Sequence, residues 1–535
     1  MRCFILLLLL ILTGIQTARA LPAQIAENEK TEVLPLEKVI AMTLSNNLDV
    51  RWNRADLAIS GEQVRYAWGD FDPILGATAT RESNRLTQTS QITVLTKQEV
   101  AGLFSGTSAA SQIIGLGVSG VPQIYMQDND KYQASLDGKT PLGTHYTLGL
   151  RANQLGNNLN DVLNGSMQSG AFSPEYDTFV GVTLTQPLLR DFGPSANLAA
   201  VRIARKNKEI TRLTWEGKII TAIQTVLTTY YEMQYGVAVI EVREQAIEAD
   251  KRFVSENQRR VDVGMMSPID VQQAEVALST DQESLLEAQN YFMERQYLLK
   301  RQILSSANMD DDGVFLPAGT LKYDPVHLDR NALMRDAMKF RLDYQQALKE
   351  AEIQNIKLRY GRNQLWPRLD VIGTYGYNGF GINSSFGSAF GNGFVTTTPS
   401  WSVGLQASIP IGNVQARSQL AQFKSAKEQA ILKIKQVELT ANLDVDTMLS
   451  RIQTNLQSLE TSRQTRRLAE EAVKIAERQI EQGLISVFDA LETKKKLYDA
   501  RVREVSALAE LNKSYVLLDV ATGTLLQKHS IQVVE

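Results

Sequence analysis

Two short patterns, Gly264-x-x-Ser267-x-x-Asp270 and Gly483-x-x-Ser486-x-x-Asp489, hold the side chains best placed to do something specific. A Ser followed three residues later by an acid is a capping box: the hydroxyl accepts from the third helical amide, and the acid reaches back to the cap amide. Pro268 takes the first helical position in one copy and Val487 takes it in the other. A Gly three residues before each cap stands where a preceding helix ends in a left-handed residue. Each pattern therefore predicts a tight helix–turn–helix. Glu492 follows Asp489 at i+3, so these two carboxylates share a helix face. Capping accounts for Asp270 and Asp489, whereas Glu492 has no capping duty.

No other constellation supports catalysis. His145, His327 and His529 are scattered and the single cysteine is Cys3, so a transition-metal site has few ligands to draw on. Asp310-Asp311-Asp312-Gly313 looks like the start of a calcium loop but lacks the alternating ligands and the terminal Glu, and reads as a solvated linker. Met265-Met266 could bind a soft metal, yet with no Cys or His nearby the pair reads as apolar filler at a contact surface. Val263, Met265, Leu484 and Ile485 are then candidate partner contacts, because apolar residues on an exposed turn imply a partner. The expectation is a protein without catalytic residues, cofactor or metal.

The elements around these turns are long. Between Asn413 and Gln482 there is neither Gly nor Pro, and Ala, Leu, Gln, Lys, Glu and Arg dominate. About 70 helical residues would reach roughly 100 Å. The counterpart, Ala196–Val263, has no Pro and only Gly217 and Gly236. Second helices follow each turn over Pro268–Ser305 and Val487–Thr522. Such helices must pack along one another as coiled coil.

The chain is also duplicated. Moving Leu36–Pro73 forward by 294 positions places Leu48 on Leu342, Asp49 on Asp343, Tyr66 on Tyr360 and Pro73 on Pro367 without a gap. Farther on, Val180 falls on Val403 and Pro187 on Pro410. Ile74–Arg81, Tyr176–Leu189, Leu369–Tyr377 and Trp401–Ile411 alternate at period two, which fits either a barrel wall or a sandwich edge. Asn378–Ser400 reads as an exposed outer loop. Repeat one carries 71 extra residues within about 82–175, with two further strand-like runs, Tyr132–Leu136 and His145–Ala152. They could widen the wall or form an external cap.

Arg2, the apolar run Phe4–Leu12 and Ala18-Arg19-Ala20 predict a secretory leader over 1–20. Its removal takes two arginines and no acid, moving the formal net charge from −3 to −5. No basic block suggests nucleic acid. The remaining divisions are an N-terminal extension (21–35), repeat one (36–305: helix, β segment, hairpin with its tip near 264–267) and an equatorial linker (306–328). Repeat two (329–522: helix, β hairpin 369–411, tip near 483–486) and a tail (523–535) follow.

The duplication, the run from Leu36 to Asn47 (Leu-x-x-Val-x-x-x-x-Leu-x-Asn-Asn), Leu184–Leu189, the two capped turns and Ala521–Leu525 together resemble the TolC-like outer-membrane efflux and secretion channels. The resemblance covers about Leu36–Leu526 and implies a mainly α fold with a β-barrel part. In it, a homotrimer shares a 12-stranded barrel in outer-membrane lipid, four strands per protomer. Duplicated coiled-coil hairpins cross the periplasm, with an equatorial belt from about Ser306–Leu328 and the tail. It implies passive conduction of drugs, toxins or proteins, docked at the turns to a periplasmic adaptor and served by an inner-membrane transporter. It carries the family's narrowest acidic ring onto Asp489 and Glu492, with Asp270 as the matching acid of the other repeat. Such rings favour cations. A solvated helix face remains the other reading of Glu492. The Tyr and Arg that lock the tip in some members are replaced by Ile480 and Ile485, which puts a salt-bridge lock in doubt. A coiled-coil structural or adhesive protein with a β head is the alternative to a channel.

Overall fold

The computed structural model describes residues 31–87, 124–157, 174–304, 313–323, 328–382, 384–395, 398–531 and 533. The leader, Asp310–Asp312 and His327 lie outside them. Strands are β1 (Thr31–Leu34), β2 (Ile74–Thr87), β3 (Ile124–Lys139), β4 (His145–Asn157), β5 (Glu175–Pro187), β6 (Val314–Pro317), β7 (Arg368–Ile382) and β8 (Pro399–Ser408). The principal helices are α1 (Leu36–Asn46), α2 (Leu48–Trp68), α3 (Ala199–Asp262), α4 (Pro268–Ile303), α5 (Arg330–Phe340), α6 (Leu342–Asn363), α7 (Phe386–Val395), α8 (Val414–Glu481) and α9 (Val487–Thr522). They fall in two compact units, one from 1–60, 208–350 and 430–535, the other from 61–207 and 351–429.

The duplication is visible in element boundaries. The bounds of α1 fall on those of α5, and the start of α2 on that of α6, at the same 294-residue offset; α4 and α9 have 36 residues each. Each repeat opens with two helices rather than the single one expected. The break at Asn47 is local chemistry, since its Oδ1 accepts from the amides of Asp49 (2.9 Å) and Val50 (3.2 Å). Asn47 Nδ2 also donates to Gln302 Oε1 at 2.7 Å, and Asn46 Nδ2 to the Ile303 carbonyl at 2.8 Å, which ties the break to the end of α4.

In the first unit, β1 pairs in parallel with β6. Thr31–Leu34, which the sequence reading placed in an N-terminal extension without a strand, thus lies beside Val314–Pro317 of the 306–328 linker. Four residues are too few to show a period, and the strand exists because Leu34 (1 % exposed) joins Val314, Phe315 and Leu316 in a buried cluster with Val39, Tyr230 and Phe292. The Tyr230 hydroxyl lies 3.0 Å from the Leu34 carbonyl and 3.1 Å from that of Ala318, and burial pushes its pKa up to about 12. A second cluster gathers Ile40, Val50, Trp215, Ile223, Leu227 and Leu525, and a third Ile452, Leu459, Leu511 and Leu518.

The second unit holds one antiparallel sheet of order β2-β3-β4-β5-β7-β8. The extra strand-like runs of repeat one are β3 and β4, and both lie within this sheet rather than outside it. Alternate side chains divide it into two faces. One face carries the row Leu75, Leu136, Leu148, Val182, Tyr375 and Trp401, which are successive register partners. The other carries Lys131 bonded to Glu82 (2.6 Å), Thr147 to Asp137 (2.6 Å) and Thr183 beside Thr374 (3.1 Å). The stretch expected as an outer loop over Asn378–Ser400 instead extends β7 to Ile382 and forms α7. This uncharged helix is fixed by tertiary packing: Ala389 is fully buried, and the Phe386 ring meets Tyr132 and Tyr176 edge-on at 5.7 and 4.9 Å.

Candidate functional site

Both capped turns belong to the first unit, and their side chains meet. Gly264 (φ 75°) and Gly483 (φ 72°) take the left-handed conformation that closes α3 and α8. The Met265 amide donates to the Arg260 carbonyl (2.8 Å) and Gly264 to Val261 (2.9 Å); Leu484 donates to Gln479 (2.9 Å) and Gly483 to Ile480 (3.1 Å). These are two copies of a Schellman closure, which satisfies carbonyls that a helix end leaves open. The next helix starts on its capping box. The Ser267 amide donates to Asp270 Oδ2 at 3.1 Å. Asp489 N donates to Ser486 Oγ at 3.1 Å, and Ser486 Oγ donates in turn to Asp489 Oδ2 at 2.6 Å.

Between the turns, Ile480, Val487 and Ala490 are buried against Phe253, Met266, Ile485 and Leu491. Arg260 Nη1 adds a bond to the Ile480 carbonyl at 3.5 Å. Ile485 therefore points inward and is half-buried, which corrects its expected exposure: the neighbouring hairpin supplies the apolar surface that a lone turn lacks. Val263 (69 %), Met265 (80 %) and Leu484 (67 %) do stand exposed. Two further apolar residues escaped the sequence reading, Ile269 (59 %) and Phe488 (61 %). They occupy the same place in the two copies, immediately after Pro268 and Val487, and that coincidence was the available signal. Met265 matches Leu484, Met266 matches Ile485 and Ile269 matches Phe488, so at these three matched positions each hairpin turns one apolar residue in and two out.

Asp489 and Glu492 are exposed and Asp270 is half-buried. Glu492 pairs weakly with Lys496 at 3.7 Å and borders a cavity of about 720 Å³ shared by α3, α4 and α9. Ile269 and Phe488 line the same cavity, together with Arg243, Asp250, Asp281, Lys494 and Asp499. Arg243 reaches Asp281 and Asp499 at 3.5 Å each. Lys494 sits 4.1 Å above the Phe253 ring, and burial lowers its pKa.

Asp250 is 4 % exposed. Burial, then the nearby Asp281, pushes its carboxyl up to about 7, with Lys494 pulling the other way. An acid whose pKa is raised on folding contributes stability that is fully present below its unfolded pKa and is lost as pH rises through the folded value. From about pH 4 to pH 7 this group therefore costs the fold increasingly more. Asp250→Asn is expected to be more stable than the parent at pH 8, by about 1–3 kcal/mol, with a smaller gain at pH 5. Denaturant titrations at the two pH values check this, and a pH-independent difference would refute it.

The outer membrane efflux protein family matches residues 146–301 and 333–524, about two thirds of the chain. The protein belongs to this family. Escherichia coli TolC is 24 % identical over 339 residues, which are 61 % of this chain and 66 % of TolC. The probable efflux pump outer membrane protein TtgC of Pseudomonas putida is 22 % identical over 290 residues, 53 % of this chain and 56 % of TtgC. The matches thus span between about half and two thirds of these relatives. Among solved structures, the Campylobacter jejuni CmeC channel superposes with a TM-score of 0.60 at 14 % identity, covering 92 % of this chain and 86 % of CmeC. VceC of Vibrio cholerae gives 0.61 at 15 % identity, covering 91 % and 96 %. The fold is that of the TolC-like outer-membrane channels, so the protein is an outer-membrane protein with a periplasmic helical part. No helix among the described residues is long and apolar enough to cross a membrane.

Proposed function

We propose that this member of the outer membrane efflux protein family is the exit channel of a tripartite efflux or type I secretion system. Three copies share one barrel and form a passive conduit through which solutes cross without chemical change. The observation that carries the reading is the pairing of a sheet, apolar on one face and charged on the other, with two hairpin tips that present matched apolar residues. The sheet answers to lipid outside and water inside. The tips, through Val263, Met265 and Leu484, offer a periplasmic adaptor an apolar foothold, with an inner-membrane transporter behind it. Asp489 and Glu492, with Asp270 nearby, would set the charge of the periplasmic aperture.

The test is a planar-bilayer recording of the purified mature protein in detergent. Small cation-selective steps from trimers support the channel. A monomer that fractionates with soluble periplasmic contents and never conducts refutes it and favours a coiled-coil structural or adhesive protein.

A further inference from the structure

We propose that each protomer contributes six strands to the shared barrel, so that the trimer closes 18 strands rather than 12. This rests on the trimeric channel reading above.

The duplication fixes what repeat one would look like without its insertion. β2 corresponds to β7 and β5 to β8, and in repeat two these counterparts are adjacent. In repeat one β3 and β4 stand between them, joined by continuous ladders from Ile74↔Asp137 to Thr87↔Ile124 and from Lys139↔His145 to Gln127↔Asn157. The family match begins at residue 146, within β4, so β2 and β3 lie ahead of it and β4 and β5 inside it.

Three properties identify β3 and β4 as wall. An inserted pair leaves β2 and β5 antiparallel to their new neighbours, and β8 still meets the β2 of the next copy in antiparallel sense. A single extra strand would break that alternation. The pair also obeys the in-and-out code of its flanks: Leu136 and Leu148 continue the apolar row from Leu75 to Val182, while Lys131 and Arg151 pair with Glu82 and Asp177 on the opposite face. An external cap would leave Leu148 and Leu150, already 49 % and 41 % exposed, facing water. Finally, both sheet edges are open in one chain, and the outermost strand carries Trp401, Val403 and Leu405, each more than 70 % exposed. A second copy of this chain, presenting its β2 to this β8, is the occupant that removes both edges at once.

Strands about 4.8 Å apart, tilted by about 40°, give a backbone diameter of roughly 36 Å for 18 strands and roughly 24 Å for 12. The wider barrel falls among those that leave a broad aqueous channel. The outer-membrane section would then admit bulky solutes freely, and any size limit would be set at the periplasmic turns.

Thiol cross-linking tests the strand order in the full chain with Cys3 replaced by Ser. Val371 faces Leu405 in repeat two, and the repeat offsets carry these positions onto Ala77 and Val182. In the six-stranded sheet Ala77 faces Ala134 instead and lies three strands, about 14 Å, from Val182. A thiol reagent spanning about 8 Å should therefore link Ala77→Cys to Ala134→Cys and leave Ala77→Cys with Val182→Cys unlinked. The mass of the detergent-solubilised complex should correspond to three copies. Linking of Ala77→Cys to Val182→Cys overturns the proposal, because β2 and β5 would then be neighbours with the inserted hairpin outside. Linking to Ala134→Cys in a complex of another size overturns the trimer and with it the number 18, but leaves six strands per chain. Electron cryomicroscopy of the unmodified protein counts the strands directly, and 12 would refute the proposal even if the cysteine variants fail to fold.

Discussion

With Glu492 replaced by alanine, single channels in a planar bilayer should conduct more and lose much of their preference for cations. The permeability ratio should fall on the order of tenfold, the scale on which a ring of like charge enriches its counter-ion in a narrow aperture. In the proposed trimer three symmetry-related carboxylates at one height would supply that ring; Glu492 is exposed, in the first turns of α9 beyond its cap. Its removal also frees Lys496, the partner held at 3.7 Å, so selectivity should move towards anions and not merely to neutrality. Little stability is at stake, because an exposed pair of this kind contributes about 0–1 kcal/mol. Glu492→Gln separates charge from size: it should reproduce the selectivity change with less gain in conductance. Asp489→Ala differs, because Asp489 also closes the capping box with Ser486, and its loss should cost a further 0.5–2 kcal/mol or so per protomer. Unchanged selectivity in the double variant Asp489→Ala with Glu492→Ala would place the aperture elsewhere.

What could be read from sequence follows from how local each interaction is. The turns were legible because Ser267 with Asp270, and Ser486 with Asp489, satisfy one another within three residues. The strands were legible by alternation, including β3 and β4. Their place in the sheet was not, because a period of two says which side chains share a face and nothing about which strand lies alongside. β1 was invisible for a related reason: it forms only by pairing with a strand some 280 residues later. Ile485 and Leu484 are adjacent apolar residues on one turn, yet one is half-buried and the other exposed, a distinction made by Phe253 and Met266 of the other hairpin. The gate roles proposed for Asp270, Asp489 and Glu492 rest on the likeness to the family, since the capping geometry alone explains both aspartates. α7 was missed because three glycines within ten residues argue against a helix, and packing against Gly379 and Tyr176 outweighs that preference.

The break between α5 and α6 shows the same principle at its strongest and carries the second large effect. Its counterpart in repeat one is capped by Asn47, whereas here the equivalent residue is Arg341, a poor cap by type. Arg341 holds the break from a distance. Its guanidinium, 11 % exposed, grips Asp343 with two bonds (2.8 and 3.0 Å), Asp444 of α8 at 2.8 Å and the Ala521 carbonyl of α9 at 3.1 Å. One side chain thus fastens three helices. Although burial opposes it, the Arg341 bonds hold the Asp343 carboxyl below its usual range. Gly523 completes the joint: it turns left-handed (φ 73°) against Phe340, where an added Cβ would come within 2.7 Å of backbone. Arg341→Met keeps much of the volume but leaves two carboxylates and a helix-end carbonyl without their shared donor. It should destabilise the protein by about 2–3 kcal/mol, the range for charged hydrogen bonds in a partly exposed site. Arg341→Lys should recover only part of this, because an ammonium cannot reproduce the two-pronged grip on Asp343. Asn47→Ala, which removes only a local cap, should cost about 1 kcal/mol. Heat- or denaturant-induced unfolding of the three variants in detergent ranks them. Arg341→Met indistinguishable from the parent would show that packing behind Gly523 alone holds the joint.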